Sequence, residues 1–210
     1  MTKINRRGFM LVLSSPSGAG KTSIATKILE VDKTVNVSIS VTTRTMRPGE
    51  KEGIDYFFVS KEKFQDMLKN NELLEHADVF ENSYGTPKQY VFDTLSNGKD
   101  IIFDIDWQGT QQLSQLARVD LVSIFILPPS LMELEKRLNS RAQDSQDVIM
   151  NRMKEASNEV SHWAEYDYVI VNENLEKSVE QVHAIITAER LKRTRQRGLL
   201  DFVNKLRGIN

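Results

Sequence analysis

Four short apolar runs punctuate the chain, at residues 9–13, 101–105, 122–127 and 168–171. Each is continuous rather than alternating, which is the pattern of a strand buried on both faces, and such strands belong to parallel sheets. Between them apolar residues recur at helical spacing. Ile24/Ile28 and Ala25/Leu29 stand four apart, and Leu131, Leu134 and Leu138 share a face behind a Ser130-x-x-Glu133 capping box. Strands alternating with helices predict an α/β core, a parallel sheet of about five strands wrapped by helices.

Two stretches break the alternation. Residues 35–92 are β-rich and turn-punctuated, with Arg47-Pro48-Gly49 at one turn and a single amphipathic helix over 60–70 that carries Phe64, Met67 and Leu68 on one face. They read as an inserted mixed β/α subdomain. Residues 137–163 are polar and helical, hold Arg137, Arg141 and Arg152 with few large apolar side chains, and read as a mobile lid more than as core. Residues 1–34, 93–136 and 164–210 are left to form the core of one domain. A basic helix over 189–207, with Leu191, Leu199, Leu200, Val203 and Leu206 on its apolar side, is expected to dock on that core. The competing reading makes it a nucleic-acid arm.

Composition narrows the functional classes. In 210 residues, 28 Lys+Arg against 29 Asp+Glu leave a net charge of −1, which argues against a protein coated in nucleic acid. With 40% hydrophobic and 27% charged residues, only 10 Gly and 5 Pro, the chain is neither low-complexity nor disordered. The absence of Cys removes disulfides, thiolate nucleophiles and Cys-ligated zinc, and His76, His162 and His183 show no H-x-x-x-H spacing. Lys3, Arg6 and Arg7 before residues 9–13 imitate a signal peptide, yet five apolar residues fall short of the roughly 7 to 15 that one needs. No run approaches the roughly 18 apolar residues of a membrane span. A cytoplasmic protein without nucleic-acid or membrane partners is expected.

Candidate chemistry begins directly after the first apolar run. Ser15-Pro16-Ser17-Gly18-Ala19-Gly20-Lys21-Thr22 joins a predicted strand to a predicted helix, the setting of a phosphate-cradling loop. Backbone N–H groups and the helix N-terminus supply partial positive charge, Gly18 and Gly20 allow close approach, Lys21 adds a full charge, and Thr22 offers a hydroxyl to Mg²⁺. The pattern G-x-x-x-x-G-K-[ST] is broken at its first position, where Ser15 stands for Gly. At the end of the second core strand, Asp104 is placed to hold Mg²⁺ directly or through water, or else to cap a turn. In the insertion, Ser40, Arg44 and Arg47 precede Tyr56, and arginine forks beside hydroxyls suit a phosphate monoester; a charged hairpin on a solvated face is the plainer reading.

These motifs occur together and in order with Gly53-x-Asp55-Tyr56, Leu74-Glu75-His76-Ala77, Tyr84-Gly85-Thr86, Asp104-Ile105-Asp106-Trp107-Gln108-Gly109 and Tyr166-Asp167-Tyr168-Val169-Ile170-Val171-Asn172. The set strongly resembles guanylate kinase, over essentially the whole chain. The resemblance implies a P-loop nucleoside monophosphate kinase: a parallel-sheet core, the insertion as GMP-binding subdomain, and a helical lid. Its substrates would be Mg-ATP and GMP, with dGMP accepted as well. It assigns the GMP phosphate to Ser40, Arg44, Arg47, Tyr56 and Tyr84, and the guanine to Glu75, Thr86 and Asp106. Arg137, Arg141 and Arg152 match lid and hinge arginines around the transferred phosphoryl group, catalytic together with Lys21 and Arg44, and Asn172 falls near adenine. Thr86 also precedes Pro87 at an expected helix start, where it reads as an N-cap. A catalytically inactive guanylate kinase-like binding module is the alternative, although such modules typically lose the phosphate-loop residues retained here.

Overall fold

A computed structural model of the protein describes residues 4–79, 81–140 and 146–209. Its strands and helices in chain order are β1 (Asn5–Arg6), β2 (Met10–Ser14), α1 (Lys21–Val31), β3 (Val35–Val37), β4 (Val41–Thr42), β5 (Phe57–Phe58), α2 (Lys61–Lys69), β6 (Leu73–Val79), β7 (Asn82–Pro87), α3 (Lys88–Ser96), β8 (Asp100–Asp104), α4 (Trp107–Ala117), β9 (Leu121–Leu127), α5 (Leu131–Ser140), α6 (Gln146–Ser161), β10 (Tyr168–Val171), α7 (Leu175–Arg190), β11 (Gln196–Arg197) and α8 (Leu199–Leu206).

The core is a five-stranded parallel sheet in the order β10-β9-β2-β8-β3. Alternation along the central strand decides which helices cover which face. Leu11 and Leu13 of β2 pack with Ile24 and Ile28 of α1 and Val182 and Ile186 of α7, whereas Met10 and Val12 pack with Val91 and Leu95 of α3 and Leu113 of α4. Every residue of β2 is buried, and each such large apolar side chain is worth about 1.5–3 kcal/mol.

Three expectations change here. Val35–Val37, read as the start of the insertion, instead pairs with β8 as the edge strand of the core sheet. The run 168–171, expected to be buried on both faces, is the opposite edge, with Val169 and Val171 exposed and only Ile170 buried. An apolar composition does not distinguish a central strand from an edge that lacks a second neighbour. The basic C-terminal helix is not continuous. α7 ends at Arg190, β11 pairs antiparallel with β1, and Gly198 at φ 76° starts the separate α8. That helix buries none of its residues, and Leu200 and Leu206 are 72% exposed, so it does not dock on the core as expected.

Between β3 and α3 a mixed sheet forms in the order β5-β4-β7-β6. Helix α2 covers it with Phe64 and Met67, and Ser60 caps that helix by accepting from the Lys63 N–H at 3.1 Å. The capping box also forms, with the Ser130 hydroxyl accepting from the Glu133 N–H at 3.1 Å. Helices α5 and α6 carry more core than their polar sequence suggested: Leu134, Leu138 and Ala156 are essentially inaccessible and pack with Met153.

At the N-terminal end of the sheet, away from the loop after β2, buried carboxylates are paired. Arg190 reaches both Asp32 at 2.6 Å and Asp100 at 2.7 Å, and Arg6 meets Asp100 at 2.5 Å. The Arg190 guanidinium and the Thr34 donors hold the Asp32 carboxyl down at about 2, against the desolvation that pushes it up.

Candidate active site: a braced phosphate loop beside a buried carboxylate

The site stands at the C-terminal end of the core strands, where parallel register sets Leu13 beside Asp104. The loop between β2 and α1 turns on two glycines in the left-handed region, Gly18 at φ 91° and Gly20 at φ 104°. Close packing excludes side chains at both. A Cβ on Gly20 would lie 2.4 Å from the Asn172 amide nitrogen, and Leu134 and Leu138 cover Gly18. Ser15, at the position where the pattern asks for Gly, has no such need, since among the described non-glycine residues positive φ occurs at Asn71. Its hydroxyl donates to the Pro16 carbonyl at 3.0 Å. Helix α1 begins with no side-chain cap and no acidic residue in its first turn, so its N–H groups and dipole face the loop uncompensated.

Lys21 and Thr22 then converge on one carboxylate. The Lys21 ammonium lies 2.7 Å from one oxygen of Asp104, and the Thr22 hydroxyl donates to the other at 3.1 Å. A hydroxyl and a half-exposed carboxylate so close together suit a hard cation that completes its shell with water and phosphate oxygens, as Mg²⁺ does. Together with Ser17, Asp106 and Glu159 they line a cavity of about 270 Å³.

Asn172 and Arg137 brace this loop from behind. Asn172, expected near adenine, is instead 5% exposed, donates to the Ala19 carbonyl at 2.7 Å and accepts from the Ser178 hydroxyl at 3.0 Å. Its amide is therefore spent on the fold. Arg137 donates to the Asn172 carbonyl at 3.1 Å and to the Ala19 carbonyl at 3.4 Å, while Glu133 holds its Nε at 3.1 Å. Arg141 lies outside the described residues; Arg152 lies on α6 and its side chain is outside them. Glu159, which sequence reasoning missed, accepts a hydrogen bond from the Ser17 N–H at 3.2 Å.

In the insertion, the Arg44 guanidinium is gripped by Glu50 at 2.6 and 3.1 Å and lies over the Tyr56 ring, 5.3 Å from its centroid. Glu50, with the Tyr84 hydroxyl, raises the guanidinium pKa above its ordinary value. Tyr56 and Tyr84 meet edge to face at 6.0 Å. Arg44, Tyr56 and Tyr84 are thus one cluster. The Arg47 N–H joins it through Glu50 at 2.7 Å, and Ser40 adjoins it through its carbonyl, which accepts from the Phe57 N–H.

The second half of the site is a buried carboxylate. Glu75 of β6 is 7% exposed and accepts from the Thr86 hydroxyl at 2.6 Å. Burial pushes its carboxyl above the usual range, the Thr86 hydrogen bond opposes this, and the charge of Asp106 adds to it. Thr86 is not the helix cap anticipated. Helix α3 begins one residue later than that reading requires, after Pro87, and the Thr86 hydroxyl is committed to Glu75. Asp106 is the cap of the next helix, accepting from the Gly109 N–H at 2.9 Å, and the Glu75 carboxylate lies against that first turn, 3.4 Å from where a Cβ of Gly109 would stand. Gln112 ties β6 to α4 by bonding both the N–H and the carbonyl of His76 at 3.0 Å.

A family model described as guanylate kinase matches residues 7–189. The chain belongs to the guanylate kinase family. It is 59% identical over 205 residues to a guanylate kinase of Paramagnetospirillum magneticum, covering 98% of this chain and 96% of that one. A Rhodospirillum rubrum guanylate kinase is 57% identical over 205 residues, with 98% and 94% covered. Among solved structures, a guanylate kinase from Anaplasma phagocytophilum superposes with a TM-score of 0.78 at 41% identity, covering 99% of this chain and all of its own. Membership at this similarity makes the chain an enzyme, a nucleoside monophosphate kinase with the P-loop α/β fold, and the reading as an inactive guanylate kinase-like module finds no support. Among the described residues no helix is long and apolar enough to cross a membrane.

Proposed function

We propose that the chain transfers the γ-phosphoryl group of Mg-ATP to the phosphate of GMP, and of dGMP, giving ADP and the diphosphate, in cytoplasmic purine nucleotide metabolism. The observation that carries this reading is the pairing of an anion-binding loop with a buried carboxylate, with Asp106 at the edge of both. Guanine presents N1–H and a 2-amino group, two donors that one carboxylate accepts together, and adenine presents no such pair. A site that buries Glu75 for that purpose leaves it unpaired with any other base, and discrimination of about 10⁴ to 10⁵ is within reach of such designs.

In this reading Ser40, Arg44, Arg47, Tyr56 and Tyr84 hold the GMP phosphate, and Glu75, Thr86 and Asp106 hold the base. The loop from Ser15 to Thr22 holds the ATP phosphates, with Asn172 positioning the loop. Thr22 and Asp104 would hold Mg²⁺, which when bound neutralises charge on the β- and γ-phosphate oxygens. Lys21 would leave Asp104 for the phosphates, and Arg137, Arg141 and Arg152 would surround the transferred group. The acceptor needs no general base, because a phosphate monoester with a second pKa of about 6 arrives largely dianionic. The residues between β3 and α3 would serve as the GMP-binding insertion and residues 137–163 as the lid, closing to exclude water.

The test is ADP formation from Mg-ATP with GMP, AMP, CMP and UMP in parallel. Rapid turnover with GMP alone is expected; comparable turnover with another monophosphate would overturn the assignment of the base pocket.

A further inference from the structure

Glu159 is a carboxylate seated on a loop built for phosphate. It lies on α6, three residues beyond Ala156, whose complete burial against Leu134 and Leu138 fixes which way this part of the helix faces. From there it reaches the Ser17 N–H at 3.2 Å, across 142 positions of sequence. The surrounding charges explain why it rests there. Lys21 and the Ser17 N–H attract it, whereas desolvation, Glu155 one turn earlier and Asp106 across the cavity all oppose its charge, leaving the carboxyl pKa raised. A half-buried acid disfavoured on three counts is kept in place by the same partial positive charges that make the loop an anion site.

A polyphosphate arriving at this loop brings several negative charges to those N–H groups. Two anions do not share one such nest, because their repulsion at contact distance is strong in a partly desolvated cleft. We infer that Glu159 is an internal anion of the empty phosphate loop, expelled when the nucleotide phosphates bind, so that α6 shifts as ATP is seated. This rests on the proposed function only in taking the loop as a polyphosphate site. Its consequence is that Glu159 weakens ATP binding and links the filling of the loop to the position of the helix above it. A residue that merely braced the loop would have the opposite effect on affinity when removed.

The experiment is calorimetric titration of the full chain with Mg-ATP, and separately with inorganic tripolyphosphate, for the wild type, Glu159→Gln, Glu159→Ala and Lys21→Ala. Thermal unfolding of each variant checks that it is folded. Both Glu159 variants are expected to bind each ligand about three- to tenfold more tightly, the range that the net worth of one ordinary hydrogen bond corresponds to. Binding equal to or weaker than wild type in both Glu159 variants, while Lys21→Ala is clearly weakened, would overturn this inference and leave the function standing. Undiminished binding in Lys21→Ala would instead show that the loop is not the phosphate site, and both would fall.

Discussion

The phosphate loop and the base pocket meet at Asp106 but handle charge in opposite ways. The loop gathers partial positive charge from backbone N–H groups, a helix end and Lys21 beside a cavity, where carboxylates of the chain itself already meet it, Asp104 at Lys21 and Glu159 at the Ser17 N–H. The pocket buries Glu75 with, among the described residues, a single neutral donor, Thr86, beside a second carboxylate, so the empty state carries an unmet demand for hydrogen-bond donors. The first arrangement suits any phosphate, and even Glu159 occupies it. The second relaxes only with a ligand that presents the right donors. In the proposed function, generic affinity and catalysis thus belong to the loop, and specificity to the seam of β6, β7 and α4.

The contrast can be broken most forcefully from the loop side. Lys21→Ala removes the full positive charge that, among the described residues, lines the cavity, and kcat is expected to fall about 10²- to 10³-fold or more, as for loss of a preorganised electrostatic donor. Steady-state assays with GMP and AMP check it: both rates should fall together, because the lysine does not read the base. A selective loss of GMP turnover would contradict the division of labour.

Thr86→Val probes the pocket with little change of shape. It deletes the hydroxyl that donates to Glu75 at 2.6 Å, leaving a buried carboxylate without that donor, and should cost about 1–3 kcal/mol in urea unfolding. The carboxyl pKa should rise further, since the lost bond is what opposed its upward shift. Stability within about 0.5 kcal/mol of wild type would show that Glu75 is already neutral or solvated.

Asp32 sharpens the comparison as a carboxylate of the opposite kind. Its folded pKa is about 2 against an ordinary 3.8, so it contributes stability that is present above pH 3.8 and lost as pH falls toward 2. Asp32→Asn should destabilise the protein by about 1–2 kcal/mol at pH 7, an effect that shrinks through that acid window in a pH series of unfolding curves. Glu75→Gln should behave the other way: with the folded pKa raised, ionisation opposes folding at neutral pH, so the substitution should leave stability unchanged or slightly increased.

Much of this was legible in the chain because it is local. The run 9–13, the glycines before Lys21, the Ser130 box and the Phe64/Met67 face are set by nearest neighbours, and each stands where periodicity and turn chemistry put it. What stayed hidden depends on distant partners. β3 is three residues long and becomes a core strand only by pairing with β8, and α8 looks like a docking helix because its apolar stripe says nothing of whether a surface faces it. At the site, Lys21, Thr22, Asp104, Glu75 and Thr86 were nameable from motifs. Glu159 and Gln112 were not, since a glutamate or glutamine on a polar helix has no signature until its partner across the fold is known. Asn172 was nameable only through the resemblance, and its bonds to the Ala19 carbonyl and the Ser178 hydroxyl had no signature in the sequence.

The separation of phosphate from base reading is tested most directly by one ratio, kcat/KM for GMP over that for the analogue lacking the 2-amino group, in the wild type and in Glu75→Gln, with the Mg-ATP Kd of each. A wild-type preference of about 10²-fold or more that collapses to within a few-fold in the variant, at unchanged Mg-ATP affinity, is expected. A ratio that survives the substitution, or an Mg-ATP affinity that falls with it, would contradict the assignment of specificity to Glu75.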